Sequence, residues 1–345
     1  MSNNRFKTAF LGLSDSGKSL VEAASHIDRF DIAAVADKDT AVVESVAACY
    51  KCEAYDDYRQ LIMQNQLDCL VVAEGMHCCE EYVRMAMRKG CNVLKVAPMA
   101  RDFEEATEMV KLADEEGVKY YVTNELRFSE SFCAFREYLG SGQIEQVYLV
   151  NGICISGIEP EPAWHSDWKL SGGGVILHNC YDMIDQIVSN FSRPERVYCL
   201  FTNQAGDRQQ RLYLTEDTAV INMRFGENMI GNLIVSKAFG PQRELLNVYG
   251  KNKVLSVSSE HFEISDNHGL SLERFDYSDD RGCRLKKMLA SFVCAVETPD
   301  NNSDWVSSDA NLENMAVIES SYLSARTAMP EDPSRILQMS GRFSG

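Results

Sequence analysis

A chain of 345 residues is long enough for a large core and for two domains. Its formal charge of −17 argues against nucleic acid or anionic membrane as a partner, because binding a phosphate backbone is mainly neutralisation by Lys and Arg. No apolar run approaches membrane-spanning length and the opening MSNNRFK lacks the hydrophobic region of a signal peptide, so the expected location is the cytoplasm.

The first strand signal is Ala9-Phe10-Leu11, which ends at Gly12, and Gly17 follows just as helical spacing begins at Leu20, Val21 and Ala24. A strand feeding a helix this tightly leaves the first backbone N–H groups pointed outward, where the dipole favours an anion. Two motifs compete for the corner. Gly12, Gly17, Lys18 and Ser19 satisfy Walker A spacing, whereas Gly12, Ser14, Asp15, Ser16 and Gly17 read as a dinucleotide loop whose middle glycine has become Ser14. The strand Asp31 to Ala36 closes on Asp37, 25 residues after Gly12, where a dinucleotide site needs a carboxylate for the ribose hydroxyls and a Walker A protein needs none. The competing role for Asp37 is a helix cap. Asp37 would repel a 2′-phosphate and Lys38 would offset part of that, which favours NAD over NADP.

Strands and helices then alternate. Helices are expected over Thr40 to Cys49, Tyr58 to Met63, Glu80 to Arg88 and Glu104 to Glu116, and strands over Cys69 to Ala73, Asn92 to Val96 and Lys119 to Thr123. Repeats of this length make a doubly wound parallel sheet, an α/β Rossmann arrangement. Beyond it a helix is expected over Ser129 to Leu139, a strand over Gln146 to Ser156 and a helix within Gly172 to Ser189. From Glu195 to Glu273 apolar and polar residues alternate, as in a largely antiparallel open sheet with one face covered. Helices over Arg284 to Glu297 and Asp309 to Ala328 close an α+β domain. The expected division is 1–124 and 125–345, with a C-terminal helix packing back on the first domain. Twelve cysteines are scattered, with Cys69, Cys91, Cys154, Cys180, Cys199 and Cys294 in apolar runs, as in reduced thiols. Cys49-x-x-Cys52 and Cys78-Cys79 have no second pair at zinc spacing, so no metal is expected.

The segments AFLGLSDSG, VADKD, YDDYRQL, LVVA, NVLKVAPMA, WHSDWKLSGGGVILHNCYDMID and NLENMAVIESSYLSARTA run in order from about Phe6 to Thr327. In this order they resemble the Gfo/Idh/MocA family of nicotinamide-dependent oxidoreductases. The resemblance implies NAD or NADP as cofactor, a C-terminal sheet forming one wall of the active site, and a homodimer or homotetramer through that sheet. It adds Ala73, Glu74 and Pro98 to the expected cofactor contacts. There are departures. The family's Glu-Lys-Pro is matched by Val96-Ala97-Pro98, so its catalytic lysine is absent. Its Asp with a His four residues on becomes His178 and Asp182, and its Thr-Pro-Asn becomes Glu74-Gly75-Met76. Arg127, Trp164, Asp167, Gly172 to Gly174 and Asp185 fit the pattern.

Oxidising a secondary alcohol requires a hydride acceptor, which the cofactor supplies, and a base for the hydroxyl proton, which the protein supplies. His178 with Asp182, four apart at the start of an expected helix, is the first candidate pair, and a cap or polar core position is the plain alternative. Lys95, two residues before Ala97 on a strand, is the second candidate, against a solvated strand-edge role. Arg127, Trp164, His165 and Tyr181 are candidates to bind substrate hydroxyls or a carboxylate. The expected activity is oxidation or reduction of a hydroxyl on a polyol, sugar-like or cyclitol-like substrate. The rivals are a regulatory protein that binds nucleotide and ligand without turnover, a lyase or hydrolase that retains NAD, and an NTPase.

Overall fold

The computed structural model describes residues 5–158, 161–204, 214–278, 280–298 and 307–342. It divides into two compact units. The first takes in the chain through Ala100, Glu105–Thr123 and the helix Arg281–Glu297. The second takes in Arg101–Glu104, the chain from Asn124 up to that helix, and the chain from Asp309 onward. The helix that returns to the first unit is thus Arg281–Glu297 and not the last helix of the chain.

The first unit is a six-stranded parallel sheet in the order β3-β2-β1-β4-β5-β6, formed by β1 (Phe6–Leu11), β2 (Phe30–Ala36), β3 (Glu53–Tyr55), β4 (Cys69–Val72), β5 (Asn92–Lys95) and β6 (Tyr120–Val122). β1 pairs with β2 on one side and β4 on the other, so the order reverses there and a crevice opens beyond the strand ends, where open α/β sheets bind ligands. β4 is buried throughout, as a strand covered on both faces must be. α1 (Asp15–Ser25) buries Leu20, Val21, Ala23 and Ala24, and α2 (Thr40–Tyr50) is capped by Asp39, whose side chain accepts from the N–H groups of Ala41 and Val42. α3 (Tyr58–Gln64), α4 (Met76–Arg88) and α5 (Phe103–Glu116) follow. Two features differ from the sequence expectation. β3 is a three-residue edge strand without a periodic signal, and α4 begins at Met76 instead of Glu80, with Gly75 as its cap residue.

In the second unit α6 (Glu130–Gly140) precedes the central strand β7 (Val147–Ile155) of an eight-stranded sheet. The other strands are β8 (Arg196–Thr202), β9 (Thr218–Phe225), β10 (Met229–Ser236), β11 (Arg243–Gly250), β12 (Lys253–Val257), β13 (His261–Asp266) and β14 (Ser271–Asp276), in the order β14-β13-β12-β11-β7-β10-β9-β8. All pairings are antiparallel except β7 with β10. Residues 205–213, inside the expected sheet region, lie outside the described residues.

One face of this sheet carries a register row of asparagines, Asn247, Asn151, Asn232 and Asn222 on four successive strands. Asn232 Nδ2 donates to Asn222 Oδ1 at 2.9 Å and Asn151 Nδ2 to Asn232 Oδ1 at 3.3 Å. Beside it runs an apolar row, Leu200, Val220, Ile234, Ile153 and Leu245. Leu200 in that row and Ile230 beyond the asparagines are each 58 % exposed, an unusual amount of apolar surface to leave on one sheet face.

All twelve cysteines are free thiols. Burial pushes Cys69, Cys154 and Cys199 up to about 12, which makes them packing residues and not nucleophiles. Cys294 is exposed, on the outward side of its helix and not in the core its apolar neighbours suggested.

Candidate active site

In the first unit, Gly12 has φ +83°, a conformation that favours glycine. A Cβ on Gly17 would stand 2.0 Å from the Gly12 carbonyl oxygen, so this strand-to-helix turn closes only with glycine there. Asp37 ties the end of β2 to the loop: its Oδ2 accepts from Leu13 N–H at 2.6 Å and its Oδ1 from Asp39 N–H at 3.0 Å. The cap of α2 is Asp39, so Asp37 is not a cap. Each of its oxygens keeps a lone pair for a ribose hydroxyl.

No side chain caps the N-terminus of α1, which leaves the first-turn N–H groups of Asp15, Ser16 and Gly17 for an anion. Ser14 is the cap residue, and its carbonyl accepts the first helical bond from Lys18 N–H at 2.9 Å. These residues fit a dinucleotide. They do not fit the Walker A alternative, because Asp15 and Ser16 are already helical and the Ser19 hydroxyl donates to the Asp15 carbonyl at 2.8 Å.

Ala73 N–H donates to the Leu11 carbonyl at 2.8 Å, which brings Ala73 and Glu74 beside the loop; a Cβ on Gly12 would meet Glu74 Cγ at 2.6 Å. A carboxylate there accepts hydroxyl or amide protons and repels phosphate. Lys38 is exposed next to Asp37. Pro98 follows a cis Ala97–Pro98 bond, and Ala97 N–H donates to Thr123 Oγ1 at 3.0 Å.

Lys95 is neither a solvated edge residue nor poised toward Ala97. It lies on an interior strand, is 2 % exposed, and its Nζ donates to the Val96 carbonyl at 2.6 Å. Burial holds its ammonium below the usual lysine range, against the opposing pull of Cys79, Cys78 and Glu74.

In the second unit the expected helix over Gly172 to Ser189 is broken. A short α7 (Trp168–Ser171) leads into the glycines, α8 (Val175–His178) follows, and α9 (Tyr181–Phe191) begins after Asn179 and Cys180. The break removes the four-residue helical register that would have paired His178 with Asp182, and no hydrogen bond joins them among the described residues. The His178 ring nitrogen Nε2 instead lies 3.1 Å from the Ser171 carbonyl. Asp182 has a buried Oδ1 without a hydrogen-bond partner. Burial, then Glu125, Asp185 and Glu244, raise its acid well above the usual carboxylate range.

The glycine triplet serves packing and not the approach of a ligand. A Cβ on Gly172 would meet the Arg101 carbonyl oxygen at 2.1 Å, one on Gly173 the Tyr322 hydroxyl at 2.0 Å, and one on Gly174 the Glu216 carbonyl oxygen at 2.0 Å. Fully buried Glu216, which nothing in the sequence singled out, holds this segment. Its carboxylate accepts from Gly174 N–H and Ile176 N–H, both at 2.9 Å, and from the Tyr322 hydroxyl at 3.0 Å.

Two expected substrate ligands are structural. The Arg127 guanidinium is buried and makes a bidentate pair with Asp185, both bonds 2.5 Å, and Asn314 Nδ2 donates to the same carboxylate at 2.7 Å. The buried Tyr181 hydroxyl donates to Asn311 Oδ1 at 2.9 Å. The structure does gather Trp164, His165 and His178. The imidazoles are 4.9 Å apart and 32° from parallel, and the Trp164 ring is edge-on to His178 at 5.8 Å. Glu161 Oε2 stands 3.9 Å from His165 Nδ1 and accepts from Lys237 Nζ at 2.5 Å, with all three side chains partly exposed. Lys237, at the end of a strand in NLIVSKAF, carried no sequence signal, because only the fold brings it to residue 161. Among the described residues no group of three or more His, Cys, Asp or Glu side chains is placed to hold a metal, and no helix is long and apolar enough to cross a membrane.

Residues 6–124 match the profile of a family described as "Oxidoreductase family, NAD-binding Rossmann fold", and residues 132–256 match the "GFO/IDH/MocA C-terminal domain". Among curated proteins the chain is 23% identical over 235 residues to 2,7-anhydro-N-acetylneuraminate hydratase of Mediterraneibacter gnavus, covering 67% of this chain and 61% of that protein. It is 29% identical over 119 residues to 1,5-anhydro-D-fructose reductase of Ensifer adhaerens, covering 34% and 36%. The chain therefore matches under two thirds of these relatives' length. Its fold is shared with an oxidoreductase from Agrobacterium radiobacter crystallised with NAD+, L-tartaric acid and magnesium, at TM-score 0.82 and 17% identity over 96% of this chain and 100% of that one. It is shared also with the WlbA dehydrogenase of Bordetella pertussis in complex with NADH and UDP-GlcNAcA, at TM-score 0.78 and 19% identity over 95% and 99%.

Proposed function

This chain belongs to the Gfo/Idh/MocA oxidoreductase family, and from that premise we propose that it oxidises or reduces a secondary hydroxyl of a sugar-like or cyclitol-like substrate, with His178 carrying the hydroxyl proton. The first unit is an NAD(P)-binding Rossmann domain, and the bound nicotinamide supplies the hydride acceptor or donor. Asp37 makes NAD the preferred form, with Lys38 offsetting part of its repulsion of a 2′-phosphate.

The observation that carries the catalytic assignment is the bond from His178 to Ser171. A carbonyl oxygen can only accept, so the ring proton sits on Nε2 and the basic lone pair on Nδ1. Ser171 thereby orients the ring in place of Asp182, its expected partner. Trp164 and His165 fix the ring face, and the Lys237–Glu161 pair offers a donor and an acceptor suited to sugar hydroxyls. The test is transfer of hydrogen from a polyol or sugar to NAD or NADP by the purified protein; a panel without transfer would count against the assignment.

A second reading is a net hydration or elimination with the cofactor regenerated in place. The likeness to a sugar hydratase favours it, as does Ala97 in place of the family's lysine. A product lacking or gaining water, with no net cofactor reduction, would select it. We also assign the apolar and asparagine rows on the open sheet face to self-association. Light scattering should give a mass of two or four chains, falling to one for Ile153→Asp; a wild-type mass of one chain removes the assignment.

A further inference from the structure

We propose that Arg281, 265 residues downstream of Ser16, is a pyrophosphate-binding residue of the nucleotide site. The proposal rests on the dinucleotide reading of the loop after β1. The helix Arg281–Glu297 belongs to the same compact unit as that loop. It is anchored there by buried Leu285, Met288, Leu289 and Phe292, and the Phe292 ring packs edge-on against Tyr121 at 5.7 Å. Asp280 caps it, accepting from Gly282 N–H at 3.0 Å. The backbone of Arg281 is therefore fixed, while its side chain is exposed.

The guanidinium Nη2 donates to Ser16 Oγ at 3.0 Å. Ser16 lies in the first turn of α1, beside the uncapped N–H groups of that turn, where the helix start favours an anion. Because Ser16 accepts from Arg281, its own hydroxyl proton remains available to a phosphate oxygen, so the two side chains form one donor unit.

The charge around the loop shows why such a donor is needed. Asp15, Asp37 and Glu74 all belong to this corner, and a pyrophosphate brings two further negative charges. Ser14 stands where a glycine would let the backbone approach those phosphates closely. A guanidinium reaching in from a remote helix offsets both deficits, since it pairs with phosphate in a planar fork and keeps its charge at any working pH. Its contact with Ser16 places it at the helix start and so at the phosphates, whereas the ribose acid Asp37 lies at the end of β2.

Equilibrium titration of NAD, NADP, ADP-ribose and adenosine into wild type, Arg281→Ala and Arg281→Lys tests the assignment. Arg281→Ala should weaken NAD and ADP-ribose alike by about 10- to 100-fold, the scale of one lost charge-assisted hydrogen-bonding group. Adenosine, which lacks phosphate, should bind both proteins equally, and Arg281→Lys should fall between. Added salt should weaken the wild type more than the alanine variant. NAD affinity unchanged in Arg281→Ala overturns the proposal. An equal loss for adenosine would make the residue structural, and a loss confined to NADP would move the contact to the 2′-phosphate; either result overturns it. A wild type that binds none of the dinucleotides overturns the underlying reading of the loop.

Discussion

Replacing Arg127 with Met should destabilise the fold by roughly 3–5 kcal/mol, the cost of leaving one partner of a buried ion pair uncompensated. Asp185 is fully buried and its carboxylate receives two bonds from Arg127 and one from Asn314. With the guanidinium gone, a single amide remains to solvate a charge in a low-dielectric interior. With Asn314 the pair also joins the turn Glu125–Phe128, α9 and the helix Ser308–Thr327, through residues that all belong to the second unit. Thermal or urea denaturation of the whole chain reads the effect. The double variant Arg127→Met with Asp185→Leu should recover most of the loss, because replacing both members of a buried pair by apolar groups is often neutral. If Arg127→Met instead keeps wild-type stability and raises only KM, Arg127 is a substrate ligand, as its sequence position suggested.

His178→Ala should lower turnover by about 10²- to 10⁴-fold with cofactor affinity nearly intact, the scale of a lost general base. The imidazole must be unprotonated to accept the proton. The rate should therefore fall on the acid side as the ring takes up a proton, and this limb should vanish in the variant. Asp182→Asn separates the two candidates. If His178 is the base and Ser171 its orienting group, Asp182→Asn should leave the acid limb in place, since no bond joins Asp182 to the ring.

The variant should also be more stable than wild type at higher pH. The folded-state acid of Asp182 is raised above its unfolded value by burial, then by Glu125, Asp185 and Glu244. Its favourable contribution is thus complete below the unfolded carboxyl pKa, about 3.9, and is lost as pH rises through the raised value. Asn cannot ionise and escapes that loss. Should Asp182→Asn abolish turnover while His178→Ala spares it, the raised carboxyl of Asp182 is the base.

The nucleotide corner was readable because its requirements are local. Two glycines, a strand end and an acid at the next strand end follow from backbone geometry within 26 residues, Gly12 to Asp37. The alternation that gives each sheet is local too. The second unit's site was readable only in its residue types. The sequence placed a helix straight through Asn179 and Cys180, and with it a His178–Asp182 contact, because helical spacing does not announce a break held open by remote groups. At the break Cys154 Sγ donates to the Asn179 carbonyl and Asn179 Nδ2 to Ser156 Oγ, while just before it Glu216, which also accepts from Tyr322, holds the Gly174 and Ile176 N–H groups. Arg127 and Tyr181 look like binding residues in one dimension. The fold buries both, with Arg127 paired to Asp185 and the Tyr181 hydroxyl bonded to Asn311. Lys237 and Arg281 lie at the opposite extreme, ordinary surface cations until the fold sets them against Glu161 and Ser16.

The most direct test of the oxidoreductase assignment is transfer of deuterium from the carbinol carbon of C-deuterated polyols, sugar acids and nucleotide sugars to NAD and NADP by the wild-type protein, read by mass spectrometry of the cofactor. Deuterium is expected on the nicotinamide with at least one member of the panel, and its transfer should be faster to NAD than to NADP. Tight dinucleotide binding with ligand-dependent stabilisation but no deuterium transfer to either cofactor would contradict it and mark the chain as a binding protein on this scaffold.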